Sequence, residues 1–305
     1  MNPSNYRFQF RPYQRRFRQP LKTSHGMWEV REGIILRLRD GEGRVGWGEI
    51  APLPWFGSET LEEALDFCSQ LGGEVTEEVI EGIPEELPAC QFGFESAVGD
   101  LFLEAAQRGA GGELHLGELG YSWLLPAGEG ALQDWQRGWE QGRRTFKWKI
   151  GVSSLEEETS LFQQLVQLLP ATAKLRLDAN GGLSWDEAKE WLRLADRSGV
   201  VEFVEQPLPP QQFDLMLALS TNYRTPLALD ESVATVGQLE ECYQKGWRGV
   251  FVIKAAIAGS PQRLRQFCQE HPIDAVFSSV FETAIGGEAA LRLAKELSHP
   301  NRAVG

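Results

Sequence analysis

Five apolar, strand-like segments of the chain each end in a lysine or a carboxylate, at nearly constant intervals. They are Lys149 in TFKWKIG, Asp178 in LRLDANGG, Glu205 in VEFVEQP, Asp230 in LALDES and Lys254 in VFVIKAA, spaced by 29, 27, 25 and 24 residues. One strand and one helix fill each such step, so the interval predicts consecutive β/α units. YSWLLPA before the five and IDAVFSS after them read as further strands, which makes seven units. That number points to a barrel. An open doubly wound sheet would carry a glycine-rich phosphate turn after its first strand, and none is present.

Amphipathic stretches lie between the strands, among them SLEEETSLFQQLVQLL and SWDEAKEWLRLADRSG. In the second, Trp185, Leu192 and Leu194 oppose the charges, and Gly199 is placed to end the helix. The first third of the chain has a different pattern. YRFQFRPY and REGIILRLRD are strand signals, and Gly41-Glu42-Gly43 turns the chain into RVGWGEIAPL to complete a hairpin. Ser58 is placed to cap a helix through LEEALDFCSQL, with Glu62 and Glu63 in its first turns. FGFESAVGDLFLEAAQ reads as a helix leading into the second part. The expectation is an α/β protein with an α+β capping domain over residues 1–93. A modified TIM barrel of (β/α)7β type would follow over 94–305, cut short at its last strand because the sequence stops at NRAVG. A barrel without that strand would expose an edge.

Composition narrows the function classes. A formal net charge of −13 opposes phosphate-backbone binding, so no nucleic-acid partner is expected. No apolar run approaches the roughly 18 residues of a membrane span, so no membrane partner is expected either. Cys68, Cys90, Cys242 and Cys268 lack a C-x-x-C spacing and read as reduced thiols of a cytoplasmic protein. Arg7, Arg11, Arg15, Arg16 and Arg18 precede the first acidic residue, Glu29, as in a transit peptide. Tyr6, Phe8 and Phe10 alternate with polar residues, however, and favour a half-buried strand. The oligomeric state is left open.

Side chains alternate along a strand, so Lys147 and Lys149 share one side of TFKWKI, and Phe146, Trp148 and Ile150 share the other. In a barrel the lysines would face inward. Two ammonium groups there are costly unless acids or a metal offset them, and a neighbouring cation moves a lysine toward the pKa of a general base. Asp178, Glu205 and Asp230 each end a strand, where a lone acid is most often a cap or turn residue. Three at one level, flanked by lysines, form a more specific set, able to hold a hard divalent cation on oxygen ligands. The four histidines (His25, His115, His271 and His299) form no ligand cluster.

The pattern resembles the muconate-lactonising branch of the enolase superfamily, with K-x-K on the second barrel strand, acids on the next three and a lysine on the sixth. PLKTSHGMWEVREGIIL, GWGEIAPLPWFGSETLEEA and FSSVFETAIGGEAALRLA extend the similarity, closest to the dehydratases of that branch, over nearly the whole chain. The resemblance implies that Asp178, Glu205 and Asp230 hold Mg²⁺, with Mn²⁺ as an alternative. Lys149 would be the base, supported by Lys147, with Lys254 facing it across the site. The implied reaction removes a proton α to the carboxylate of a small substrate and forms a metal-stabilised ene-diolate. Thr23, Ser24, His25 and Met27, with Trp55 in the segment Pro54-Trp55-Phe56-Gly57, match the capping loops that close over the mouth. Ser278 and Ser279 are candidates for a substrate carboxylate. Asn180, Glu231 and Arg176 are candidates for orienting the ligands. N-acylamino-acid racemases, dipeptide epimerases and muconate cycloisomerases share this scaffold. The Asp-x-Asp of the epimerases is missing from SSVFETAIG.

Overall fold

The computed structural model describes residues 5–23, 26–103 and 119–305. Two sheets organise them. The first is antiparallel, in the order β3-β2-β1-β4, and comprises β1 (Asn5–Thr23), β2 (Gly26–Arg39), β3 (Val45–Ile50) and β4 (Glu74–Thr76). Tyr6 and Phe8 are buried and Phe10 packs against the core, as their alternation predicts. The β2–β3 turn at 41–43 is closed by Asp40, whose carboxylate accepts the N–H groups of Glu42 and Arg44. The following helix starts two residues later than its sequence suggests. Leu61–Gln70 is capped by Thr60 in a reciprocal box with Glu63, whereas the Ser58 hydroxyl accepts the N–H of Leu53 at 2.6 Å. Thr60 wins because it has Glu63 at the third helical position, the geometry a capping box requires.

β3 lies directly on the helix Pro88–Leu101. A Cβ at Gly46 would stand 2.0 Å from the Ala97 carbonyl oxygen, and one at Gly48 equally close to that of Gly93. Only glycines allow backbone to approach so nearly. Glu59 accepts the N–H groups of Ala89 and Cys90, at 3.0 and 2.7 Å, and so places a carboxylate at this helix's positive end. The helix runs through the expected boundary at residue 93 and packs on β2 and β3 on one side and on Ala255–Ala258 and Pro261–Glu270 on the other.

The second sheet is wholly parallel, and its seven strands coincide with the seven segments read from the sequence. They are β5 (Ser122–Leu124), β6 (Thr145–Lys149), β7 (Lys174–Asp178), β8 (Val201–Glu205), β9 (Leu227–Leu229), β10 (Val250–Ile253) and β11 (Asp274–Phe277), in spatial order. The expected open edge is covered. Val304 bridges to Tyr121 in parallel, accepting the N–H of Ser122 and donating to Gly120, while Gly305 donates to Phe277 and accepts from Ser279. The last residues thus span from β5 to β11. The helices begin as the sequence implies, with capping boxes at Ser154 and Ser184, and Gly199 ends Trp185–Ser198 in the left-handed conformation. The buried face of that helix runs through Ala188, Trp191, Leu192 and Ala195; Trp185 and Leu194 lie at its margins.

Outward strand residues such as Phe146, Trp148, Leu175, Leu177, Leu229 and Ile253 join the large core beneath the helices. Phe203, Ala228, Val250, Val252 and Val276 form a separate apolar cluster on the inward face. All four cysteines are unpaired. Among the described residues no helix is long and apolar enough to cross a membrane.

Candidate active site

Strand register decides which side chains meet. Lys149, Asp178 and Glu205 are consecutive partners across β6, β7 and β8, at one level on the carboxyl ends of the strands. Asp230 follows β9, and Lys254 follows β10. Lys147, one inward position below Lys149, reaches up between two acids, with Nζ 2.8 Å from Asp178 and 2.7 Å from Glu205. Lys254 pairs with Asp230 and also lies over the ring of Phe56, 4.0 Å from its centroid. The side chain of Lys149 makes no hydrogen bond or ion pair with any described residue. Five residues 24 to 29 positions apart therefore share one rim.

The charges are unequally satisfied. Burial favours the neutral form of Lys147, but Asp178, Glu205 and Asp230 outweigh it and hold the amine protonated. Burial also opposes ionisation of Asp178, which Lys147 overcomes with help from the N–H of Asn180, so that carboxyl sits below its usual range. Glu205 and Asp230 are shifted the other way. Burial raises both, with the Asp178 charge adding at Glu205 and that of Glu231 at Asp230. Glu231, also raised by burial, accepts a hydrogen bond from Asn180 through one oxygen, and its other oxygen is buried without a partner. Two ammonium groups thus leave this crowd of carboxylates under-compensated. Among the described residues no three acids or histidines converge on one point, because Lys147 and Lys254 stand between the carboxylates. An oxygen-only donor set with uncompensated negative charge suits a hard divalent cation.

Asn180 thus joins Glu231 through its side chain and Asp178 through its main-chain N–H. Arg176 does not reach the ligands: its guanidinium donates to Glu202 at 2.6 Å and to the carbonyl of Ala303 at 2.8 Å, deeper in the barrel. A register shift in β8 leaves Glu202 as an extra residue opposite β7 and turns it toward this arginine. Ser279 is also committed elsewhere. Its hydroxyl bonds Glu282 at 2.9 Å and accepts the N–H of Phe281, which builds a turn. The Ser278 hydroxyl has no such partner among the described residues.

The capping sheet is fastened to this turn by buried polar groups. The Glu49 carboxylate accepts the N–H groups of Thr283 and Gly286, the Thr283 hydroxyl and the Tyr13 hydroxyl, and so caps the helix Ala284–Leu297 from another domain. Arg31 donates to Val280 beside it. Above lies an aromatic wall in which Trp28 meets Trp55, Phe17 and Phe281 edge-on, with centroids 5.0 to 5.6 Å apart. Met27, Trp55 and Phe281 expose 61, 43 and 46% of their surface, leaving an apolar face toward solvent. Thr23 ends β1, where it pairs with Gly26. Ser24, His25 and the Thr23 side chain lie outside the described residues.

Two contacts escaped sequence reading. In the sequence Phe56 is only one residue of a capping segment, and its place on Lys254 depends on the docking of that segment. Gln206, between Glu205 and Pro207, is fully buried, with its carboxamide bonded to Asp230 and Ser232. Its position directly after a ligand candidate was the available signal.

Known proteins supply the remaining frame. Residues 131–303 match the family described as enolase C-terminal domain-like, and residues 13–101 match the MenC N-terminal domain. An o-succinylbenzoate synthase of Thermosynechococcus vestitus is 43% identical, covering 98% of this chain and 91% of its own. The crystal structure of the o-succinylbenzoate synthase from Thermosynechococcus elongatus BP-1, complexed with Mg in its active site, superposes with a TM-score of 0.89 at 42% identity, over 98% of this chain and 92% of that one. A dipeptide epimerase from Enterococcus faecalis shares the fold, with a TM-score of 0.81 at 23% identity over 99% and 89% of the two chains. The chain belongs to the enolase superfamily and, within it, to the o-succinylbenzoate synthases.

Proposed function

We propose that the protein dehydrates 2-succinyl-6-hydroxy-2,4-cyclohexadiene-1-carboxylate to 2-succinylbenzoate, a step of menaquinone or phylloquinone synthesis. The observation that carries this reading is the pairing of the rim lysines. Lys147 and Lys254 are engaged by carboxylates, whereas Lys149, at the level of Asp178 and Glu205, has no partner among the described residues. A lysine side chain not tied up in an ion pair is free to turn its amine to a substrate proton.

In this reading Lys149 takes the proton from C1, α to the ring carboxylate. That electron pair becomes the C1–C6 double bond as the bond from C6 to the hydroxyl breaks, and the two existing ring double bonds stay in place. The ammonium formed on Lys149 then returns its proton to that hydroxyl, so that water departs and the ring becomes aromatic. Lys147 stays between Asp178 and Glu205 and keeps their charges from repelling one another. Lys254 faces Lys149 and holds positive charge where the substrate becomes more anionic, with Phe56 behind its ammonium. Asp178, Glu205 and Asp230 would hold Mg²⁺, or Mn²⁺ in its place, which would supply Lewis-acid stabilisation of the substrate carboxylate. Met27, Trp55 and the Thr23–His25 turn would close over the apolar part of the substrate, and Ser278 would donate to its carboxylate. Asn180 and Glu231 would orient Asp178. Residues 1–93 on this reading confine the substrate and 94–305 carry the chemistry. Four unpaired thiols accord with a cytoplasmic setting.

The experiment follows the ultraviolet change on aromatisation with Mg²⁺ present. Conversion that stops with EDTA and in Lys149→Ala is expected. A Lys149→Ala enzyme with wild-type turnover would remove this lysine from the mechanism.

A further inference from the structure

Three residues other than glycine have positive φ among the described residues: Asn180, Gln206 and Phe281, at 45°, 38° and 60°. All three follow barrel strands at the rim. Gln206 is the most deeply held. Left-handed backbone in a residue with a side chain persists only where the surroundings over-determine it. Here they do so from both ends of the carboxamide. Its oxygen accepts the N–H groups of Asp230 and Ser232, at 3.0 and 3.2 Å. Its nitrogen donates to the Leu208 carbonyl at 2.9 Å and the Ser232 hydroxyl at 2.8 Å, with the Met216 sulfur at 3.4 Å. A flipped amide would set donors against the two N–H groups, so the network assigns one orientation. The main chain is held as well. The Gln206 N–H donates to Ala228 and its carbonyl accepts from Gly181, at 2.8 and 2.7 Å.

The sheet explains why such a side chain is needed. β9 is three residues long and meets β8 through Val204–Leu227 and Glu205–Ala228. Asp230 lies just past that ladder, with φ −124° and ψ −74°, and turns into the short helix Glu231–Val233. Its N–H goes to a side chain instead of a strand carbonyl. The carboxamide of Gln206 stands where the next rung would be and extends the ladder by one side chain.

We infer that Gln206 is a positioning residue for the divalent cation: it fixes the main chain carrying Asp230 and, through its own constrained backbone, Glu205, so that ligands on neighbouring strands are held together before the cation arrives. This rests on reading Asp178, Glu205 and Asp230 as the cation site. Gln206 is fully buried and its carboxamide bonds only protein groups among the described residues, so its effect passes through Asp230. A merely space-filling buried amide would govern stability alone.

The test is Mn²⁺ titration of the metal-free, full-length protein, with free Mn²⁺ read by electron paramagnetic resonance and thermal melting recorded in parallel. Gln206→Met keeps the length of the side chain and deletes every carboxamide hydrogen bond. It is expected to bind Mn²⁺ about 10- to 100-fold more weakly, as loss of other groups that orient ligands does. Ser232→Ala removes one anchor of the amide and leaves Asp230 untouched, and a smaller loss in the same direction is expected. A folded Gln206→Met protein with wild-type Mn²⁺ affinity overturns the inference. If that variant does not fold, wild-type affinity in Ser232→Ala overturns it instead. A wild-type protein that takes up no Mn²⁺ sinks the cation-site reading and this inference together, whereas normal wild-type uptake with unchanged uptake by the variants sinks this inference alone.

Discussion

The barrel carries ionic groups at both ends, separated by the apolar cluster of Phe203, Ala228, Val250, Val252 and Val276, and the two ends are built on opposite principles. At the floor the cations outnumber the acids they meet among the described residues. Glu202 is met by Arg176 at 2.6 Å, Arg302 at 3.0 Å and Lys174 at 3.3 Å, and Asp274 by Arg302. Although burial opposes it, Arg176 and then Arg302 hold the Glu202 carboxyl below its usual range. At the rim acids outnumber cations, Glu205 and Asp230 are raised, and one lysine is left unpaired. The same residue types therefore support the fold at one end and hold unspent electrostatic potential at the other. The diagnostic of a working site here is the mismatch of its charges, more than their number.

The largest effect expected of any change that would break this contrast is at Lys149. Because that side chain has no partner, Lys149→Ala should cost about 10²- to 10⁴-fold in turnover, the span of a lost general base, and leave the melting temperature where it was. Glu205→Gln should weaken Mn²⁺ binding by more than the roughly 100-fold typical of orienting groups. With EDTA present, however, it should be no less stable than the wild type, since it removes a carboxylate that burial already disfavours. Arg176→Met should do the reverse, costing about 3 kcal/mol in urea unfolding through loss of the buried Arg176–Glu202 pair, which Arg302 and Lys174 replace only in part, with Mn²⁺ affinity retained.

The two ends should also answer pH with opposite sign. Glu202, whose pKa is lowered on folding, adds stability above the unfolded carboxylate value of about 4.3 that is lost as pH falls through its folded value, so Glu202→Gln should flatten the acid limb. Glu205, whose pKa is raised on folding, binds its proton more tightly in the folded state. Without metal, stability should fall as pH rises from about 4.3 through the raised value, and Glu205→Gln should remove that slope. Urea midpoints measured against pH in EDTA check both. The smallest effect is at Phe56: losing the ring beneath Lys254 in Phe56→Leu should cost about 1 kcal/mol, or roughly five-fold in kcat.

What could be read from the sequence follows from what is local. The seven strands, the inward direction of Lys147 and Lys149 and the level shared by Lys149, Asp178 and Glu205 all rest on period-two alternation and a regular repeat, which a linear chain displays. Thr60 in place of Ser58 required only closer attention to the position of Glu63. The remainder rests on partners far apart in sequence. Arg176 faces inward as its position requires, but its partners are a bulge residue on the next strand and a carbonyl 127 residues away. Closure by Val304 and Gly305 pairs residues near 120 and 277 that no local pattern connects. Phe56 meets Lys254 only because one domain is seated on another. Ser279 was read as a substrate contact, but a turn uses its hydroxyl, and hydroxyl direction leaves no trace in a sequence.

The manner in which Glu49 joins the two domains bears on how molecules enter and leave. A cap that swung away as a body would strip this carboxylate of Thr283 and Gly286 at once, keeping only Tyr13, which moves with it, and would leave the positive end of a barrel helix uncapped. Such a cap behaves as a keystone rather than a door. Traffic through the mouth is then left to what projects from the keystone, the side chains of Met27 and Trp55, and to Phe281 opposite them. The turning of these aromatic and thioether groups is then the motion expected to pace entry and exit, with the rim itself staying in place.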